Sequence, residues 1–180
     1  SAFVAVDGIA GVEVQTEKVW TYADEFLLPR AIVINKLDRE RANFERALES
    51  VQSVFGRAAI PIHLPIGAEK DFKGVVDLIS MKAYTYAAGS GKATEGPIPA
   101  DMQEAAKTAH EALVEMVAEG NDLLMEEFFA TGTLPEDHIA DGLRDAVAHR
   151  RIYPVLCASG LNNTGTDRLL NFADRKSTRL

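Results

Sequence analysis

Two apolar runs of four residues, Phe3 to Val6 and Ala31 to Ile34, each end at a turn signal, Asp7-Gly8 in the first case and Asn35 in the second. Runs this short between turn residues predict strands buried on both faces of a parallel sheet. Between them, from about Val14 to just before Pro29, Val19, Trp20, Ala23 and Phe26 or Leu27 recur at helical spacing. Strand, helix, strand is the right-handed crossover unit of an α/β sheet. A second helix is expected over about Arg41 to Phe55, with Phe44, Leu48, Val51 and Phe55 on one face and Gly56 as its stop.

The pattern then changes. Ile60 to Gly67 alternates, Phe72 to Ile79 does so in part, and Ala83 to Tyr86 is aromatic, which predicts short strands of a different sheet. Ala87 to Pro99, rich in Gly and holding two prolines, reads as a loop. A long amphipathic helix follows over Ala100 to Glu119, with Met102, Ala106, Ala109, Leu113 and Met116 on its apolar side, then helices over about Asp122 to Ala130 and Glu136 to Arg150. Tyr153 to Ala158 is a buried strand, Gly160 to Gly165 a polar turn, and a last helix starts near Thr166. The return to α/β character marks residues 58–151 as an insertion into a domain made of 1–57 and 152–174. Residues 175–180 carry no apolar pattern and read as a disordered or vector-derived tail.

An apolar fraction of 47% with 26% charged residues is that of a globular chain with a real core. The absence of a long apolar run and of a leader points to the cytoplasm. A formal charge of -8 argues against direct nucleic-acid contact over most of the surface, because neutralising phosphates needs clustered Lys and Arg. The single cysteine, Cys157, lies inside an apolar run and reads as a buried hydrophobe. His63, His110, His138 and His149 show no metal-binding spacing, so no metal site is expected.

The candidate chemistry begins with Asn35-Lys36-Leu37-Asp38, directly after a predicted parallel strand, where ligands bind in open α/β sheets. The Asp38 carboxylate can accept two parallel hydrogen bonds from the ring N–H and exocyclic amine of guanine, whereas adenine offers no such pair. Asn35 would hold the loop and reach the purine edge, Lys36 would lay its methylenes over the base, and Leu37 would anchor the loop in the core. A second contact is expected after the last strand. There a backbone N–H of Ser159-Gly160-Leu161 can donate to the guanine carbonyl, and the Ser159 hydroxyl can brace the Asp38 loop.

With these residues in place, the chain resembles the elongation factor G family of translational GTPases. Asp7-Gly8-Ile9-Ala10-Gly11-Val12-Glu13-Val14-Gln15-Thr16-Glu17-Lys18-Val19-Trp20 is similar to the segment that follows the second switch. Leu64-Pro65-Ile66-Gly67, Phe72 to Leu78 and Lys82 to Tyr86 are similar to the opening of its inserted subdomain. The resemblance runs from Phe3 to about Ala173. It implies a partial P-loop-GTPase-type sheet, mostly parallel, with an inserted α/β subdomain. It also implies a guanine site at Asn35, Lys36, Asp38, Ser159, Gly160 and Leu161, with GTP or GDP and Mg²⁺ as ligands of the parent protein. The implied role is GTP-driven translocation on the ribosome. Release-factor-3-like and ribosome-protection GTPases share parts of the pattern, and a non-catalytic ribosome- or stalk-binding module with a vestigial nucleotide site is a further reading.

Two departures qualify the resemblance. The family's Gly-Ser-Ala-Leu-Lys-Asn is here Ala158-Ser159-Gly160-Leu161-Asn162-Asn163, which predicts a looser loop. No Gly-x-x-x-x-Gly-Lys-[Ser/Thr] motif occurs in the 180 residues, so the chain is expected to be a fragment without GTPase activity, binding GTP weakly at best. Gly89-Ser90-Gly91-Lys92 only imitates a P-loop, since Tyr86 stands where its first Gly belongs and Ala93 where its hydroxyl belongs. It reads as a flexible loop. Glu111, Glu115 and Glu119 recur every four residues along the long helix, a solvated face for which the resemblance implies contact with the ribosomal stalk protein.

Overall fold

The computed structural model describes residues 1–87 and 90–177. Strand β1 (Ala2–Asp7), helix α1 (Val14–Glu25), strand β2 (Arg30–Asn35) and helix α2 (Phe44–Phe55) follow the expected crossover order. Strand β3 (Ala59–Pro61) comes next, and much later β8 (Tyr153–Cys157) and α6 (Thr166–Ser177) complete this part. The four strands form one parallel sheet in the order β1-β2-β8-β3. Arg30 to Ile34 are all buried, as a strand covered on both faces requires.

Helix starts follow local chemistry. The Asn43 Oδ1 accepts the Arg46 N–H at 2.7 Å and so caps α2, which therefore begins later than the periodicity predicts; Gly56 at φ +84° ends it. Trp20 of α1 stacks on Phe55 of α2 with ring centres 3.8 Å apart, tying both helices to one face of the sheet. Phe26 and Leu27, expected on the inner side of α1, are 72% and 62% exposed, because the helix has already ended at Glu25.

The inserted part is a four-stranded antiparallel meander with three helices. Its strands are β4 (His63–Ile66), β5 (Gly74–Asp77), β6 (Lys82–Tyr86) and β7 (Ala93–Gly96). Its helices are α3 (Gln103–Ala118), α4 (Asp122–Thr131) and α5 (Glu136–Ala148). The stretch read as a loop between 87 and 99 thus contains an edge strand. Ala93 to Gly96 has no apolar signature and is held by backbone pairing, with Tyr86 opposite Ala93.

The chain passes from one sheet to the other at Ile62. Ala59 to Pro61 pair with β8, and the Ile62 N–H still donates to the Val155 carbonyl at 2.9 Å. The two sheets also share their cores. One cluster joins Val4, Ile32, Trp20 and Val51 to Val75, Tyr84 and Tyr86, and the other joins Ile60, Leu156 and Ile152 to Val76, Leu113 and Leu143. Helix α6 runs to Ser177, through part of the expected tail; residues 178–180 lie outside the described residues. No helix among the described residues is long and apolar enough to cross a membrane.

Candidate functional site

Strands β2 and β8 are parallel neighbours, with Ile34 opposite Cys157, so the loops after them leave the same end of the sheet side by side. Backbone bonds fasten the two: the Ala158 N–H donates to the Ile34 carbonyl at 2.9 Å and the Leu37 N–H to the Ala158 carbonyl at 3.5 Å. The Asn35 Oδ1 completes the junction by accepting the Lys36 N–H at 2.8 Å and the Gly160 N–H at 3.0 Å. One amide side chain therefore pins residues 125 positions apart.

The Asp38 loop is equally constrained. Leu37 is 3% exposed and packs beside Gly8, where a Cβ would come 3.0 Å from the Leu37 Cδ2 and 3.1 Å from the Asn35 carbonyl oxygen. Lys36 takes up a left-handed backbone at φ +64°, and its Nζ donates to the Asp7 Oδ2 at 2.6 Å. Asp7 also accepts the Ile9 N–H at 2.8 Å. Burial pushes the Asp7 carboxyl up, but the Lys36 ammonium and the Ile9 and Ala10 amides outweigh it and hold it below the usual carboxylate range. Asp38 itself is half-buried, and its Oδ1 is inaccessible to solvent and without a hydrogen-bond partner.

An orphaned buried carboxylate oxygen costs about 1–3 kcal/mol and needs an explanation. A ligand that brings its own N–H groups supplies one. Across the junction, the Leu161 N–H has no acceptor among the described residues, and the Leu161 side chain is 83% exposed. An acceptor edge on one side and a free backbone donor on the other match the donor and carbonyl edges of guanine.

The expected residues are thus brought together, with their tasks redistributed. Ser159 is fully buried, but its Oγ accepts the Asn162 N–H at 3.1 Å and so closes its own turn; Asn35, not Ser159, joins the two loops. Because the Gly160 N–H is committed to Asn35, Leu161 supplies the free donor. Lys36 is tethered to Asp7, a partner the sequence offered only as part of a turn signal. Its clue was position: Asp7 ends β1 in register with Asn35.

Elsewhere, the exposed Glu111, Glu115 and Glu119 lie on α3 and at its end; Glu119 pairs with Arg57 at 3.3 Å. Ser90 to Lys92 form a turn leading into strand β7, not into a helix N-terminus that could hold phosphate; Gly89 lies outside the described residues. Cys157 is buried, and burial raises its thiol pKa well above the ordinary value. Among the described residues no group of three or more His, Cys, Asp or Glu side chains is placed to hold a metal. The larger recesses, about 500 Å³ between Phe3, Pro29, Val147 and Phe172 and about 430 Å³ beside Tyr84, Lys92 and Glu95, are not bordered by Asp38 or Leu161.

The chain is similar to a protein from Thermus thermophilus of known crystal structure, at 30% sequence identity and a TM-score of 0.87. The match covers 98% of this chain and 26% of that one, so the chain spans about a quarter of its relative's length. The family model for the elongation factor Tu GTP-binding domain matches residues 1–178. With a match of that extent, this chain belongs to the elongation factor Tu GTP-binding domain family of translational GTPases.

Proposed function

We propose that this chain is the guanine-recognising part of a ribosome-dependent translational GTPase of the elongation factor G type. The observation that supports the reading is the junction of the loops after the parallel neighbours β2 and β8, fastened by Asn35, with the half-buried Asp38 in one loop and, in the other, the Leu161 N–H, which has no acceptor among the described residues. Guanine would place its ring N–H and exocyclic amine on Asp38 and its carbonyl on Leu161, while Asn35 and the Lys36–Asp7 pair hold the rim. A site built this way rejects a base lacking those donors by a factor on the order of 10⁴. In this reading residues 1–57 and 152–174 serve the nucleotide and residues 58–151 form an inserted subdomain, a division supported by the second, antiparallel sheet that begins at His63.

Phosphate and Mg²⁺ would be held by a P-loop and switch segments of the parent protein, and no P-loop motif occurs in this sequence. The residues here bind and orient the base and have no part in breaking the phosphate bond. For partners, the reading names the ribosome and its stalk protein in the cytoplasm. The exposed acids Glu111, Glu115 and Glu119 and the exposed Leu123 and Phe129 on the adjoining α4 support a docking face with an acidic rim.

The test is a titration of the isotope-labelled chain with millimolar guanosine, which needs no phosphate contacts. Amide signals of Lys36 to Asp38 and Gly160 to Asn162 should shift, and adenosine should leave them in place. Equal shifts with both nucleosides, or none with either, would remove the guanine reading.

A further inference from the structure

Tyr86 ends strand β6 and is 8% exposed, and its hydroxyl donates to the Asp167 Oδ1 at 2.5 Å. Asp167 is the second residue of α6, and its Oδ2 accepts from the Arg168 Nη2 at 3.0 Å. The Arg168 guanidinium in turn lies 4.2 Å from the ring centre of Tyr84, two residues before Tyr86 on the same face of β6. Two aromatic residues of the inserted sheet therefore hold two successive residues in the first turn of α6.

That first turn is also the exit of the 159–165 turn. Ser159 and Thr164 exchange backbone bonds at 2.9 and 3.0 Å, and the Thr166 hydroxyl is bonded to the Asn163 side chain. Gly165 follows at φ +78°, where a Cβ would come 2.8 Å from the Cys157 carbonyl oxygen and 3.4 Å from the Val75 Cγ1 of β5. The turn is thus clamped by Asn35 at its entrance and pressed against the inserted sheet at its exit. Burial and the bond to Asp167 raise the Tyr86 phenol pKa, so the hydroxyl stays protonated and remains a donor.

We infer that Tyr86 is a positioning residue for the 159–165 turn, acting through Asp167 so that the inserted sheet fixes where Gly160 and Leu161 stand opposite Asp38. Its consequence for guanine affinity rests on the function proposed above; its effect on the turn does not. A rearrangement of the inserted sheet and occupancy of the base site are then coupled through one hydroxyl.

The experiment is hydrogen exchange on the ligand-free chain for the wild type and for Tyr86→Phe, Asp167→Ala and Asp167→Asn. Tyr86→Phe keeps the packed ring, so the core is preserved. Loss of one hydrogen bond of about 1.4 kcal/mol corresponds to about tenfold faster exchange of the Gly160, Asn162 and Thr164 amides, with β2 and β8 amides unchanged. Asp167→Ala should match it. Asp167→Asn, which still offers an acceptor to Tyr86, should stay within about threefold of the wild type. Wild-type exchange in the turn of Tyr86→Phe, or an equal acceleration throughout the protein, would overturn the inference. A parallel guanosine titration separates the two readings: faster exchange with no guanosine binding by any form retains the positioning role and removes the guanine site. Unchanged exchange with normal guanosine binding does the reverse.

Discussion

Replacing Asn35 with Ala tests whether one amide side chain holds the two loops of the site together. The Asn35 Oδ1 accepts two backbone N–H groups, from Lys36 at 2.8 Å and from Gly160 at 3.0 Å. Each such bond contributes about 1 kcal/mol net, so the pair contributes about 2 kcal/mol. For a chain of this length 1 kcal/mol moves the midpoint by about 2–4 °C, which puts the expected fall in Tm at about 4–8 °C. The loss should also be local. Both partners lie at the strand tips, so the Gly160 amide should lose its protection from hydrogen exchange while Ile32 to Ile34, fully or nearly buried in the sheet, keep theirs. Thermal melts of both forms, with amide-resolved exchange, measure the two effects. A Tm within about 1 °C of the wild type together with a still-protected Gly160 would refute the assignment of the junction to Asn35.

Two further outcomes follow from buried charge. Arg30 is 1% exposed, with its guanidinium bonded to the Trp20 and Leu28 carbonyls and to Asp24, so Arg30→Met should cost about 2–4 kcal/mol in urea denaturation; a change under about 1 kcal/mol would show those bonds to be dispensable. Burial lowers the pKa of His63 below its ordinary 6.5, Asp77 and Asp167 acting to raise it and Arg168 to lower it further. As the pH falls below 6.5 the unfolded chain binds a proton that the folded chain refuses, so stability declines until the lower folded value is reached. The drop in Tm between about pH 7 and 5 should therefore be smaller in His63→Asn than in the wild type; identical slopes would contradict it.

The parallel sheet was legible because its strands are short, continuous apolar runs ended by turn residues, a pattern that only burial on both faces explains. The meeting of the two loops was legible for the same reason: Asn35 and Ser159 each follow such a run, and parallel neighbours bring their tips together. Strand β7 was not, since Ala93-Thr94-Glu95-Gly96 is held by its partner's backbone and carries no pattern of its own. Arg30 was equally opaque. A cation at the start of an apolar strand reads as exposed, and only the fold supplies the carbonyls and the Trp20 ring, 4.6 Å from the guanidinium carbon, that make its burial tolerable. The division of labour between Asn35, Ser159 and Leu161 depends on which backbone amides are already committed, a property of the folded loop alone.

The most direct measurement concerns the donor edge of the base. Asp38→Asn replaces a pure acceptor with a group that also donates, so the site should lose guanosine and gain xanthosine, whose carbonyl stands where guanine carries its amine. Titrating wild type and variant with both nucleosides, and following the amides of Leu37, Asp38 and Leu161, reads the preference directly. The account predicts that the order of affinities reverses. An Asp38→Asn chain that folds as the wild type does and still prefers guanosine would contradict it.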